Sequence, residues 1–361
     1  MIDLVTVLKT AVGAGASDIH ICVNKPPMMR KNGEVVPVSP TMTPLSAEET
    51  KAIIYSALYD EQRAKFEANW ELDCSFAISG VSRFRLNVLV ARNGVEAVLR
   101  VIPSVIPTPE QLGLSPAIVN LSTLHKGLVL VTGPTGSGKS TTLAAVLDLI
   151  NANKRGHMLT IEDPIEFTYE PKNCIIRQRE IGQHTKSFNN ALRAALREDP
   201  NIILVGEMRD LETIQLTITA AETGHLSFAT LHTQDAPSTV DRIIDVFPPH
   251  QQTQVRVQLA SSLQAVVSQI LLPRKDGKGR VAAREVMIMT PAISNLIREG
   301  KTHMLYSAIE TGSKVGMMPM DKALVNLVQQ NLVAYDVALS KAHDRESFKT
   351  LCGRQGVATA A

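Results

Sequence analysis

The feature that most constrains this chain is the glycine-rich segment GPTGSGKST at residues 133–141. A short apolar run at residues 127–132 precedes it, and a helical pattern over residues 140–150 follows. The segment fits the pattern G-x-x-x-x-G-K-[ST], whose glycines let backbone N–H groups surround phosphate oxygens at a helix N-terminus. The sequence therefore predicts an α/β fold that binds a nucleoside triphosphate.

Each residue of this loop is a predicted part of the nucleotide site. Lys139 can reach the β- and γ-phosphates, and the Ser140 hydroxyl can coordinate Mg²⁺. ATP and Mg²⁺ are therefore the predicted cofactors. The predicted binding residues are Gly133, Pro134, Thr135, Gly136, Ser137, Gly138, Lys139, Ser140 and Thr141.

Composition excludes several other classes of protein. The 361 residues suggest two domains, and the net charge of +2 does not support a nucleic-acid coat or a polybasic membrane anchor. We find no apolar run near the ~20 residues that span a bilayer and no signal-peptide pattern, so we expect no direct membrane insertion. The cysteines, at positions 22, 74, 174 and 352, are too dispersed to suggest zinc or disulfides.

The chain divides into four predicted regions. Residues 1–102 suggest a small α+β domain, and the prolines of residues 103–120 suggest a stiff linker that could act as a hinge. Residues 121–290 alternate short apolar strands with helices, as a parallel sheet covered on both faces requires. Within them we predict strands at 127–132, 157–161, 202–205 and 226–231, a helix over 251–269, and a hairpin of 269–273 with 280–289. Residues 291–361 are predicted to be mostly helical, with a frayed tail from 353.

A second hairpin in the first domain gathers three arginines. Asn93-Gly94 predicts a two-residue loop in which Arg92 faces Val95 and Asn87 faces Arg100. Apolar side chains then share one face, and Arg83, Arg85 and Arg100 share the other. These arginines either form a solvated basic face or supply positive charge to a nucleotide on a neighbouring subunit.

Two glutamates are the predicted acidic residues of the site. Glu162 ends the strand 157–161, and carboxylates at the carboxyl end of a parallel strand face the ligand crevice. Glu207 follows the strand 202–205, where Gly206-Glu207 replaces the usual terminal aspartate of a Walker B strand. We predict that Glu207 polarises the attacking water and that both glutamates contact Mg²⁺, partly through water. The competing interpretations are a simple turn at Asp163-Pro164 and a structural, ion-paired Glu207.

Two histidines bracket the strand 226–231. Their spacing of seven residues places His225 and His232 on opposite faces, which argues against a shared metal site. A hydrogen-bonded core histidine is the ordinary interpretation of either one. Because both histidines stand at strand ends, we predict that both border the ligand crevice and act in phosphate sensing or coupling, most strongly His232.

These motifs together resemble the secretion ATPases of the type II and type IV pilus class, and within it the pilus retraction motors. The resemblance covers nearly the whole chain. It rests on residues 15–21, 82–87, 127–143, 161–166, 196–200, 205–210, 221–226 and 230–232.

The resemblance carries several implications. It implies a PAS-like domain before a RecA-like ATPase domain, catalytic roles for Glu162 and Glu207, and arginines that approach the nucleotide. It also implies a homohexameric cytoplasmic ring, docked on an inner-membrane platform protein of the PilC type.

Two details favour retraction over extension. Extension and type II secretion motors usually carry a tetracysteine zinc element, which this sequence lacks. Retraction motors carry AIRNLIRE where residues 292–299 here read AISNLIRE, so Ser294 removes one charge. This departure leaves open an accessory retraction ATPase, which could also be a paralogous partner. A type II secretion motor, a RecA-type nucleic-acid motor and a nucleotide switch that does not hydrolyse ATP stay open as well.

Overall fold

The computed structural model describes residues 3–31, 33–102 and 105–354. The chain separates into two compact units at residues 105 and 106. Each unit has its own sheet and its own apolar core. The small first unit is α+β, and the second is α/β, as predicted.

The first unit contains an antiparallel sheet with the strand order β3-β2-β1-β6-β5-β4. Its helices bury their apolar sides in one cluster with the sheet. The elements are α1 (Leu4–Gly13), β1 (Asp18–Ile21), β2 (Met28–Lys31), β3 (Glu34–Pro37), α2 (Ala47–Tyr55), α3 (Asp60–Asn69), β4 (Glu71–Ile78), β5 (Ser82–Ala91) and β6 (Gly94–Ile102).

The register of the β5–β6 hairpin differs from the prediction. Ala91 pairs with Gly94, so the loop residues are Arg92 and Asn93 rather than Asn93 and Gly94. Each strand pair is therefore displaced by two positions, and Arg85 rather than Asn87 lies opposite Arg100. A shift of two residues preserves the faces, because side chains alternate with a period of two. The three arginines therefore still share one face.

The second unit contains a sheet with the order β13-β12-β7-β11-β10-β8-β9. Every strand pair is parallel except β12 with β13. The strands are β7 (Gly127–Thr132), β8 (His157–Glu162), β9 (Ile175–Glu180), β10 (Ile202–Val205), β11 (Leu226–Leu231), β12 (Leu263–Pro273) and β13 (Arg280–Ile288).

Helices cover this sheet and form the C-terminal region. They are α4 (Pro116–Val119), α5 (Lys139–Asn153), α6 (Phe188–Ala195), α7 (Leu211–Glu222), α8 (Ala236–Asp245), α9 (Pro249–Ser262), α10 (Pro291–Arg298), α11 (Leu305–Thr311), α12 (Met320–Gln329), α13 (Tyr335–Leu339) and α14 (Arg345–Arg354). Within the described ranges, no helix is both long and apolar enough to cross a bilayer.

The central strands are buried along their whole length and consist mainly of apolar residues, because both of their faces are covered. In β7, Leu128 and Leu130 join one buried cluster, while Val129 and Val131 join the cluster on the other side. Parallel pairing then aligns the carboxyl ends of β7, β8, β10 and β11 along one edge of the sheet.

The predicted helix over 251–269 is wrong in its second half. Helix α9 ends at Ser262, and residues 263–269 begin strand β12 beside β7. The β-branched Val266 and Val267 are fully buried opposite Leu130 and Val131, an environment that favours strand. Strand β9 was not predicted, because the sequence IIRQRE has only a short apolar start.

The predicted linker over 103–120 is largely part of the second unit. Ile118 is buried, and Ile106, Leu114 and Ala117 pack against the same apolar cluster. The segment contains several prolines, but the apolar side chains between them pack on the core of the second unit. The segment therefore belongs to that unit from residue 106 onward. Residues 103 and 104 and most of the predicted frayed tail lie outside the described residues.

A buried carboxylate organises the C-terminal region. Asp321 is only 1% exposed and accepts hydrogen bonds from the backbone N–H groups of His343 and Asp344, at 2.7 and 3.0 Å. The Tyr306 hydroxyl donates a weaker third bond at 3.4 Å. One side chain on α12 therefore holds the loop before α14.

We expect Asp321→Ala to lower the free energy of unfolding by about 2–4 kcal/mol, because it removes a buried carboxylate that accepts hydrogen bonds from two backbone N–H groups. Urea unfolding followed by circular dichroism measures this change. The exposed Asp336 on α13 provides the control, and Asp336→Ala should change stability by less than about 0.5 kcal/mol. Equal effects of the two substitutions would contradict the role assigned to Asp321.

Candidate functional site

The glycine-rich loop joins β7 to α5 at the edge where the parallel strands end. Gly133, Gly136 and Gly138 have φ values of 138°, 77° and 85°, a region that favours glycine. At Gly133 a Cβ atom would also lie 2.2 Å from the Gln269 carbonyl oxygen. The glycines therefore serve both the loop's conformation and its close packing on β12.

Lys139 begins α5 and is buried against the loop. Its ammonium donates to the carbonyl oxygens of Gly133 and Pro134, at 2.8 and 3.1 Å. Burial lowers the pKa of Lys139, while the nearby charges of Glu207 and Glu166 act in the opposite direction. The positive charge of Lys139 is therefore held beside the loop and near the carboxylates of Glu207 and Glu166.

The other loop residues divide into a tip and a base. Pro134, Thr135 and Gly136 are exposed at the tip, whereas Ser137 is buried. Ser140 and Thr141 lie half-buried in the first turn of α5. The first turn of this helix thus has free N–H groups, a lysine and two hydroxyls, which together suit a phosphate group.

Glu162 is a buried carboxyl group at the end of β8. It is 7% exposed, accepts a hydrogen bond from the Thr160 hydroxyl at 2.6 Å and receives weaker bonds from Glu166 N–H and Gln178, each at 3.4 Å. Burial raises the pKa of Glu162 to about 7, and the hydrogen bonds only partly offset this effect. A carboxyl group that titrates near neutral pH suits proton transfer.

Gly206 explains the unusual end of strand β10. A Cβ atom at this position would lie 3.1 Å from both the Cα of Glu162 and the carbonyl oxygen of Ile161. A side chain here would therefore press β10 away from the strand that carries Glu162. The acidic residue of this segment stands one position later, at Glu207.

Glu207 joins two cationic or polar partners. Its Oε1 lies 2.9 Å from Nε2 of His232, and its Oε2 accepts a hydrogen bond from Arg209 at 2.8 Å. Burial alone would raise the pKa of Glu207, but Arg209 and His232 outweigh it and leave the pKa lowered. Because Glu207 is then a carboxylate, Nε2 of His232 carries the proton and donates.

The two predicted histidines lie at opposite ends of β11. His232 follows the carboxyl end, beside Glu207. His225 precedes the amino end, where its carbonyl accepts from the N–H of Gly127 and its Nδ1 lies 2.9 Å from the Ala220 carbonyl oxygen. Six strand residues at about 3.3 Å each separate them. The prediction that His225 borders the same crevice is therefore wrong within one subunit.

The arginine face of the first unit is rich in polar contacts with its own sheet. Arg100 and Arg85 donate to carboxylates, and Arg83 donates to a hydroxyl. The bonds are Arg100 to Asp18 at 2.9 Å, Arg85 to Asp73 at 3.1 Å and Arg83 to Ser75 at 2.6 Å. The sequence prediction treated these arginines as uncompensated charges and missed both aspartates.

Sequence reasoning also missed the residues that orient the two glutamates. Arg209 stands two positions after Glu207, and Thr160 two positions before Glu162, so short-range polar spacing is a signal for both. Gln178 belongs to the unpredicted β9. Its contact with Glu162 depends on tertiary pairing and has no local signal.

The raised pKa of Glu162 has a consequence for stability. The folded pKa of about 7 exceeds the ordinary 4.5, so the wild type loses stability as pH rises between these values. Glu162→Gln cannot ionise. We therefore expect the difference in unfolding free energy, variant minus wild type, to increase by about 2 kcal/mol from pH 5 to pH 8.

Urea unfolding at the two pH values measures this difference. Glu170→Gln, at an exposed position, is the matched control and should show no such increase. A pH-independent difference for Glu162→Gln would contradict the buried carboxyl described above.

Comparison with known proteins places this site in a family. The family described as "Type II/IV secretion system protein" matches residues 2–331. The type IV pilus retraction ATPase PilT of Pseudomonas aeruginosa is 51% identical over 346 residues, which cover 96% of this chain and 100% of that protein. The type IV pilus ATPase PilU of the same organism is 42% identical over 95% of this chain and 90% of that protein.

A solved structure agrees with the sequence relatives. The crystal structure of the pilus retraction motor PilT with bound ADP has a TM-score of 0.91 and 45% identity to this chain, and covers 97% of this chain and 100% of that one. The predicted fold class, a smaller α+β domain before an ATPase domain, is confirmed. The chain belongs to the type II/IV secretion system protein family, and it is an ATPase.

Proposed function

We propose that this chain is the motor that retracts type IV pili by hydrolysing ATP, and so drives twitching motility. The observation that carries this proposal is the 51% identity to PilT, which extends over the whole of that protein. The identity to the PilU relative is lower, at 42%. The main retraction motor is therefore favoured over an accessory one.

The two glutamates divide the work of hydrolysis. Glu162, which is buried at the end of β8 and accepts a hydrogen bond from Thr160, takes the proton of the attacking water. Glu207, held by Arg209 and His232, keeps its charge and orients the water. The sequence left the division of these roles open, with Glu207 as the candidate for polarising the water.

Mg²⁺ fits the groups at this edge of the sheet. The described residues contain no cluster of three or more His, Cys, Asp or Glu side chains that could form a complete metal cage. Mg²⁺ bound with a nucleotide needs only one or two protein groups beside phosphates and waters. The Ser140 hydroxyl and the carboxylates of Glu162 and Glu207 would hold it, partly through water, and it would neutralise the charge on the phosphates.

His232 links the phosphate site to α8. Its bond to Glu207 at 2.9 Å lies immediately before the segment that leads into α8 at Ala236. A change in the charge near Glu207 therefore alters the bond that holds this segment. His232 thus has the placement needed for the predicted sensing role.

Neighbouring subunits complete the site in this proposal. The chain forms a homohexamer, in which Arg83, Arg85 and Arg100 of one subunit approach the nucleotide of the next. Arg85 and Arg100 would then exchange Asp73 and Asp18 for phosphate oxygens, a competition between two anionic partners. If the arginines do not reach a neighbouring nucleotide, their bonds to Asp73 and Asp18 only stabilise the first domain.

The ring is proposed to act in the cytoplasm on a PilC-like platform protein of the inner membrane, with a PilU-like paralogue as a further partner. Ser294, the departure from the retraction motif, donates from α10 to the Ala260 carbonyl on α9 at 2.9 Å. It therefore retains a structural contact at this position.

The hinge lies before residue 106, because the later part of the proline-rich segment belongs to the second unit.

Glu207→Gln should lower ATP turnover at least ~100-fold, because a neutral amide can neither counter Arg209 as a charge nor orient water as a carboxylate does. Affinity for ATP should change little. Phosphate release and fluorescent-nucleotide binding measure the two quantities. Full turnover in this variant would remove Glu207 from the mechanism.

A deletion strain lacking its own retraction motor tests the cellular function. The wild-type chain should restore pilus retraction, whereas Lys139→Ala should fail because the loop loses its only lysine. Arg274→Gln, in the exposed loop that joins β12 to β13, is the control and should restore retraction. Rescue of protein secretion without retraction would favour a type II secretion motor, and DNA-stimulated ATPase activity would favour a nucleic-acid motor.

A further inference from the structure

Gln269 is a buried amide that bridges the phosphate loop and helix α5. It lies on β12 and is 1% exposed. Its Nε2 donates to the Ser137 carbonyl oxygen at 2.6 Å, and its Oε1 accepts from the Thr142 hydroxyl at 2.8 Å. One side chain therefore contacts both the loop and the helix that together form the phosphate site.

Arg284 extends this bridge away from the loop. It lies directly opposite Gln269 on β13 and donates from Nε to the Oε1 of Gln269 at 3.3 Å. The orientation of the amide follows from chemistry, because the Ser137 carbonyl needs a donor and the Arg284 guanidinium needs an acceptor. Reversing the amide would break both bonds.

The other end of Arg284 binds the start of the second unit. Its Nη1 donates to the carbonyl oxygens of Leu112 and Gly113, at 3.0 and 3.4 Å. Among the hydrogen bonds within the described ranges, none joins Arg284 to a carboxylate. Burial lowers the pKa of Arg284 to about 10, so the group still carries its charge at neutral pH. Its charge strengthens the hydrogen bonds to these neutral oxygens, so Arg284 holds Gln269 and the Leu112–Gly113 backbone together.

The segment bound by Arg284 is a compact turn just after the division between the units. The N–H groups of Leu112, Gly113 and Leu114 donate to the carbonyls of Thr108, Glu110 and Pro109, at 3.1, 3.0 and 2.9 Å. Gly113 has a φ of 59°, as expected for a residue that closes such a turn. Residues 108–114 therefore form an ordered, hydrogen-bonded turn rather than an irregular loop.

We propose that Gln269 and Arg284 couple the phosphate loop to the turn at residues 108–114, so that bound nucleotide changes the stability of that turn. This inference rests on the proposed function only in that the loop must bind nucleotide. A displacement of the Ser137 carbonyl by phosphate changes the bond to Gln269, and Arg284 transmits the change to Leu112 and Gly113. These two side chains are thus positioning residues for the start of the second unit.

A purely structural role for Gln269 and Arg284 predicts a different result. Their substitution would then lower the stability of the protein but leave the response of residues 108–114 to nucleotide unchanged. Amide hydrogen exchange distinguishes the two cases, because it reports the opening of each segment separately.

The experiment measures hydrogen exchange by mass spectrometry on the full-length chain, with and without ADP and Mg²⁺. In the wild type we expect ADP to slow exchange at least ~3-fold in peptides over 133–142 and over 108–114. Arg284→Gln should keep the ADP-dependent slowing at 133–142 and lose it at 108–114. Gln269→Leu should lose it at 108–114 as well.

A third test variant, Arg284→Lys, separates charge from geometry, and two further variants serve as controls. Arg284→Lys keeps the charge but lacks the forked donors, so it should lose most of the effect at 108–114 while folding normally. Arg274→Gln lies near the exposed end of the same hairpin, and Gln264→Leu lies near the amino end of β12, five residues before Gln269. Both should respond to ADP like the wild type.

The result separates this inference from the proposed function. Slowing at 133–142 without slowing at 108–114 in the wild type would overturn the coupling alone. Retained slowing at 108–114 in both Arg284→Gln and Arg284→Lys would overturn it too. No slowing at either segment of the wild type would overturn nucleotide binding at the loop, and with it both proposals.

Discussion

The parallel pairing of β7, β11, β10 and β8 is the constraint on which the rest of this structure depends. Each of these strands is buried on both faces, so its residues are mainly apolar. The ionisable groups of the site therefore lie where the strands end. The phosphate loop, Glu162, Glu207 and His232 each occur within two residues of such an end. The same burial that stabilises the sheet thus concentrates the reactive groups along one edge.

Much of this arrangement follows from the sequence. Short apolar runs located β7, β10 and β11 at their observed bounds, and β8 to within one residue. The glycine pattern located the loop, and strand polarity located both glutamates. These features succeed because their signals are local, and because parallel strands leave little choice about which ends meet.

The errors of the sequence prediction arise where tertiary contacts determine the local structure. Residues 263–269 have helical neighbours in the chain, and only their pairing with β7 makes them a strand. The hairpin loop moved by one residue at each end, which no local signal distinguishes once the faces are preserved. Arg209 and the aspartates opposite the arginine face changed the electrostatics, because each neutralises a group that the sequence presents as an isolated charge.

The close approach at Gly206 has a wider meaning for how such a site works. A carboxylate on the last residue of a buried strand would have the rigidity of the sheet and could not change its position. Here a Cβ atom just after β10 would lie only 3.1 Å from the neighbouring strand, and the acid lies instead on the connection between β10 and α7. Its placement is then set by two side chains, one of which precedes α8. In the proposed mechanism, the carboxylate that orients water is thus positioned by side chains rather than by the sheet, so the steric limit between two strands would give the motor a group that it can engage and release in each cycle.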